Sequence, residues 1–129
     1  MTQSSDDPAH KARIRELNDQ LRQAPFDTSL GQVVLTTAVA DFLRSAPELL
    51  PKEWLARRLF LLRALAAFDA FDETNDPTEE HHFGLFEVWD RTFFFKIDYY
   101  DTAGRKGSPD PANPAVTRRV LTIGFPEDY

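Results

Sequence analysis

The chain has 129 residues, 42% of them apolar and 28% charged, with nine prolines, five glycines and no cysteine. That composition fits one domain spanning residues 1–129, and the lack of thiols excludes a disulfide scaffold, a thiolate metal site and a cysteine nucleophile. The formal net charge is −6, and residues 72–90 alone carry seven carboxylates (Asp72, Glu73, Asp76, Glu79, Glu80, Glu87 and Asp90) with no lysine or arginine. Such a segment repels phosphate backbones, so a nucleic-acid partner is not expected.

Residues 1–6 are small and polar and predict a mobile tail. Asp7-Pro8 is a helix start, since aspartate accepts from first-turn amides and proline suits the first helical position. Ile14, Leu17 and Leu21 then give one apolar stripe on a helix ending near Gln23. After Gly31, the β-branched run within Gln32–Ala38 predicts a strand. A short helix from Val39 to Ser45 follows, and Pro51 with Glu53 opens the longest helix, to Phe71. Its apolar residues reach round both sides: Leu55, Leu59, Leu62 and Ala66 on one, Phe60, Leu61, Leu65 and Phe68 on the other. A second helix or a second subunit must cover what one sheet cannot, so a homo-oligomer through the 52–71 helix is expected. Arg57, Arg58 and Arg63 are expected to carry their charges to water.

Asp72–Pro77 is a turn-rich break. Phe83–Trp89 and Thr92–Tyr100 read as two aromatic-rich strands joined by a tight Asp90-Arg91 turn. Alternation puts Phe93, Phe95, Ile97 and Tyr99 on the core face and Phe94, Lys96, Asp98 and Tyr100 on the other. Residues 101–117 form a long loop, within which Asn113-Pro114 suits a single helical turn, and Arg119–Phe125 supplies the last strand. The sum is an α+β domain, a mostly antiparallel sheet of about four strands with helices on one face. No stretch suits a signal peptide or a membrane-spanning helix, so no membrane contact and a cytoplasmic location are expected.

Four ordered strings carry a resemblance: Glu80-His81-His82-Phe83-Gly84, Phe94 to Asp101, Gly107-Ser108-Pro109-Asp110-Pro111, and Thr117 to Ile123. With Ile14 to Asp19 and the strand after Gly31, they resemble a family of small proteins catalogued only as a domain of unknown function. Its members are mostly alphaproteobacterial and are often borne on plasmids or other mobile elements. The resemblance implies a bacterial cytoplasmic protein with an accessory role and carries no catalytic residues over. The chain departs from the family pattern at His82, where relatives are expected to be acidic.

Three constellations offer chemistry. Glu80, His82 and Asp98 have the donor types for a divalent ion in a small metal-assisted hydrolase, but none of the established zinc spacings is present, and adjacent histidines on an extended chain point apart. Lys96, Asp98 and Tyr100 share a strand face, where an ion pair between the first two is the plain reading. With Arg105 and Arg119 they would line a binding groove over the sheet, with the aromatic residues as contact surface. Gly104 to Pro114 holds two glycines with Arg105 and Lys106, yet it lacks phosphate-loop spacing and reads as a turn-rich connection. No catalytic arrangement and no cofactor motif emerges. The expectation is therefore a non-enzymatic protein-binding or regulatory protein, of which an inhibitor of a host defence nuclease is one concrete form.

Overall fold

The computed structural model describes residues 7–129, so the tail expected over residues 1–6 lies outside the described residues. The order of elements is α1 (Pro8–Gln23), β1 (Gln32–Leu35), α2 (Thr37–Ser45), α3 (Trp54–Ala67), β2 (Phe83–Val88), β3 (Arg91–Tyr100) and β4 (Arg118–Gly124). The four strands form one sheet in the order β1-β4-β3-β2. It is mixed and mostly antiparallel: β1 runs parallel to β4, and the other two pairings are antiparallel. The fold is α+β, with the helices on one face.

Asp7 caps α1 as its sequence suggests, its carboxylate accepting from the Ala9 amide at 3.0 Å. β1 is shorter than expected and α2 correspondingly longer. Thr36 is the cause: its hydroxyl oxygen accepts from the Val39 amide and so starts the helix at Thr37, two residues before Val39. α3 ends at Ala67 instead of reaching Phe71, because Phe68 leaves the helix in an extended conformation. Phe68 and Phe71 then pack edge-on against each other and against Phe95, at 4.9 to 6.2 Å between ring centroids. That aromatic burial replaces one further helical turn.

The hairpin is present, with its turn one residue earlier than predicted. Trp89 and Asp90 occupy the two central positions, both at positive φ (55° and 57°), and Val88 pairs with Arg91. Two left-handed residues in a two-residue loop match the twist of the flanking strands. Trp89 is thereby turned back toward the helices, where its indole N–H donates to the Leu50 carbonyl and its ring stacks on Phe60.

The core lies between the helices and one sheet face. Leu21, Val39, Leu43, Leu61, Leu62 and Leu65 meet Phe86, Phe93, Phe95, Ile97, Leu121 and Ile123 there. The predicted core face of β3 is the observed one. Phe94, on the other face, is nonetheless buried, because Phe83 stacks on it and Tyr129 folds edge-on over it. Arg57 departs from expectation: it is buried, and its guanidinium donates to the Pro51 carbonyl at 2.8 Å and the Leu43 carbonyl at 2.7 Å. The last-turn carbonyls of α2 lack helical partners, and Arg57 supplies one.

Candidate functional site

The helix-free face of the sheet is built by alternation from all four strands. The register brings Lys96 beside Thr122 and Phe83, Asp98 beside Val120, and Tyr100 beside Arg118. Lys96 Nζ lies 3.3 Å from Asp98 Oδ2, with both side chains about two-fifths exposed, so the pair contributes on the order of 0–1 kcal/mol to stability. Tyr100, Thr122 and Val34 are half-buried on this face, and Leu85 is exposed at its β2 edge. Lys96 also approaches the Tyr129 ring, 5.8 Å from its centroid.

Arg105 sits next to this face in the loop that leaves β3. The loop folds back on the strand: Tyr100 bridges to Gly107, and the Asp101 amide donates to the Lys106 carbonyl. The Arg105 amide donates to the Asp101 carboxylate, holding its pKa below the ordinary aspartate value. Further along, Ser108, Asp110 and Thr117 bond one another, and Asn113 caps the expected single turn over Pro114–Val116. The Gly104 to Pro114 stretch is a structured connection.

Arg119 does not belong with Lys96, Asp98 and Tyr100. It pairs with Tyr99 in the register and points to the helix side, where it is 3% exposed. Its Nε donates to Asn18 Oδ1 at 2.9 Å, Nη2 donates to the Pro111 carbonyl, and the guanidinium lies 5.2 Å from the Tyr99 ring centroid. The reason is parity: Arg119 shares a face with Leu121 and Ile123. Around it is a buried polar network. The Asn18 amide donates to the Tyr99 hydroxyl at 2.7 Å and to the Glu80 carbonyl at 3.0 Å, and the Tyr99 hydroxyl donates to Glu80 Oε1 at 2.8 Å. Burial, and then the Glu80 charge, push the Tyr99 hydroxyl far above an ordinary phenol, so it stays a proton donor.

Glu80, His82 and Asp98 are not brought together. Glu80 bonds Tyr99, whose side chain lies on the helix side, whereas Asp98, the preceding residue, projects from the opposite face. The sheet separates the two carboxylates. His82 contacts Thr78 at 3.3 Å, and its carbonyl accepts from the Ile97 amide. Of the adjacent pair, the histidine with carboxylate neighbours is His81, 2.8 Å from Asp19 and 3.5 Å from Asp76, with its ring stacked on Phe71 at 3.8 Å. Desolvation raises the pKa of Asp76 above the ordinary value, partly offset by the His81 amide that it accepts. Among the described residues, no three or more His, Asp or Glu side chains are grouped to hold an ion.

Sequence reasoning missed the Asn18 network. A signal was present: Asn18 and Arg22 stand on the same helical face as Ile14, Leu17 and Leu21, and polar residues on a buried stripe demand partners. His10 with Asp110, 2.8 Å apart, tie the start of α1 to the long loop in the same way.

No curated protein and no solved structure matches the chain. A family model described as a protein of unknown function (DUF3768) matches residues 35–128. That span contains α2, α3, β2, β3, β4 and all four strings from Glu80 to Ile123, while Ile14 to Asp19 and the Gly31 segment precede it. With most of its fold and its helix-free sheet face inside the match, the chain belongs to the family of proteins of unknown function DUF3768.

Proposed function

We propose that the protein is a non-enzymatic binding or regulatory module that contacts a protein partner through the helix-free sheet face. The observation that carries this reading is the contrast between two sets of polar groups. Lys96, Asp98 and Tyr100 stand half-exposed beside Val34, Val120 and Leu85, with only the C-terminal Tyr129 described as reaching over this face, at Lys96. The carboxylates and imidazoles on the helix side are instead engaged with one another or with backbone groups. A mixed apolar and polar sheet face suits protein contact, and Arg105, Lys106 and Arg118 at its end favour a partner bearing carboxylates there.

The finer form, an inhibitor of a host defence nuclease in a mobile-element accessory role, rests on the family resemblance and on no residue. No helix among the described residues is long and apolar enough to cross a membrane, and a cysteine-free chain suits a reducing cytoplasm.

The test is partner capture from a bacterial host, followed by titration of the purified partner against Lys96→Ala, Asp98→Ala, Tyr100→Ala and Arg105→Ala. At least one variant is expected to weaken binding about tenfold, while Lys96→Ala and Asp98→Ala each change stability by less than about 1 kcal/mol. Full binding by all four would sink the reading and direct attention to the carboxylates of residues 72–90. The alternative, a metal-assisted hydrolase using Glu80, His82 and Asp98, requires zinc, manganese or magnesium to raise the melting temperature in a way that His82→Ala abolishes. No such rise is expected.

A further inference from the structure

A second surface, on the other side of α1 from the Asp76–His81 contact, has a different chemistry. A groove of about 960 Å³ runs between α1, the α1–β1 loop, α3 and the start of β4. Among the described residues its charged lining side chains are four arginines: Arg13 from α1, Arg58 from α3, and Arg118 and Arg119 from β4. In a protein of net charge −6, this is a local inversion of sign.

The nearest carboxylates leave most of that charge uncompensated. Asp27, in the loop at the rim, is turned onto the Ser29 amide and hydroxyl at 3.0 and 2.5 Å. Glu16 meets Arg13 at 3.1 Å, but both side chains are exposed, so water and salt weaken the pair. Glu80 and Asp110 offset Arg119, which forms the floor and is held by Asn18 and Pro111. Among the described residues the Arg118 side chain bonds a neutral group, the Gln32 side chain, at 3.2 Å. Arg58 is only partly buried, and its Nε faces protein with no hydrogen-bond partner among the described residues, so what it can offer the groove is its terminal guanidinium nitrogens.

One glycine shapes the wall. A Cβ on Gly31 would lie 2.8 Å from the Arg119 carbonyl oxygen and 2.9 Å from Leu21, so only glycine lets the α1–β1 loop close against β4 here. Phe26, 63% exposed, stands on the same loop and lines the groove with an unpaired aromatic ring.

We propose that this groove binds a small phosphorylated ligand carrying an aromatic ring, of which a nucleoside diphosphate is the simplest representative, with Arg13, Arg58 and Arg118 on its phosphates and Phe26 against its ring. Arginine forks suit phosphate oxygens, and an exposed ring offers a stacking platform. The volume lies within the range of small-ligand clefts. A small ligand is favoured over a nucleic-acid strand, because the arginines converge on one cleft and the chain as a whole carries a net charge of −6. This site does not depend on the partner reading, and Arg118, which also borders the sheet face, is left unchanged in the test.

The experiment is calorimetric titration of the full chain with ADP, inorganic pyrophosphate, adenosine, citrate and a single-stranded oligodeoxythymidylate. ADP is expected to bind, and pyrophosphate more weakly, both losing affinity as salt rises from about 50 to 300 mM, whereas adenosine is expected not to bind. Arg13→Gln and Arg58→Gln should each weaken ADP about tenfold. Phe26→Ala should weaken ADP and leave pyrophosphate unchanged. The proposal is overturned by absence of ADP binding, by binding that both arginine variants retain in full, by citrate matching ADP, by Phe26→Ala leaving ADP binding unchanged, or by the oligonucleotide binding more tightly than ADP. Thermal unfolding establishes that each variant folds, and if Arg58→Gln does not, Arg13→Gln decides alone.

Discussion

Asn18 ties three elements together through one side chain. Its amide spans the 79–82 segment and β3, and its carbonyl oxygen holds the buried Arg119 guanidinium of β4. Removing it leaves a buried cation and a buried hydroxyl each short of a partner. Asn18→Ala is therefore expected to cost about 2–4 kcal/mol, read as a fall in the urea midpoint with unchanged slope. A loss under about 1 kcal/mol would mean that water replaces the amide. Asp110 gives a prediction in pH. Its carboxylate accepts from His10, which holds its pKa below the ordinary value, with the amide of Ala112 contributing. As pH falls, the unfolded chain takes up this proton first. The stabilisation is thus complete above the ordinary aspartate value near pH 4 and drains away as pH drops through the lower folded value. Asp110→Asn should flatten the acid limb of a plot of urea midpoint against pH. An unaltered limb would show that the contact does not persist in solution.

At the scale of elements, the places where local pattern and structure part are the places where aromatic rings decide. α3 stops at Ala67 because Phe68 and Phe71 are better buried against Phe95 than wound into another turn. Gly84 in β2 makes that packing possible, since a Cβ there would lie 2.6 Å from the Phe95 ring and 2.7 Å from the Phe68 ring. Both rings are held by neighbours and cannot withdraw cheaply. Gly84→Ala should destabilise by about 1–3 kcal/mol although alanine suits a strand at least as well as glycine. Equal or higher stability in thermal unfolding would contradict the packing described. The hairpin turn follows the same logic: Trp89 accepts a left-handed backbone because its ring gains Phe60 and Phe42 as neighbours and its N–H gains the Leu50 carbonyl.

At the scale of the whole molecule, α3 shows how far one chain can bury its own apolar surface. α1, α2 and β2 pack against it, and Leu61, Leu62 and Leu65 are fully covered. Leu55 and Phe60 stay 65% and 48% exposed, and Trp54 next to them is covered only in part, by Arg44. A self-association through this end of α3 is expected at tens of micromolar, roughly the range where modest dimers persist. Sedimentation equilibrium checks it: a dimer that Leu55→Glu returns to monomer supports the contact, and a strict monomer sinks it.

The sequence by itself determined the elements whose cause is local. Asp7-Pro8 starts α1, alternation assigns the faces of β3, and Asn113-Pro114 makes one turn, because capping, pleat and proline geometry act over a few residues. The α+β class followed from the order of those elements. Lys96 and Asp98 on one face were legible for the same reason. Alternation likewise gives Arg119 the parity of Leu121 and Ile123, but its burial was not legible, because the groups that satisfy its guanidinium come from α1 and the long loop. The separation of Glu80 from Asp98 by the sheet and the meeting of Arg13, Arg58 and Arg118 at one groove are likewise tertiary facts. Local chemistry sets what each side chain is able to do, and long-range packing decides which side chains meet.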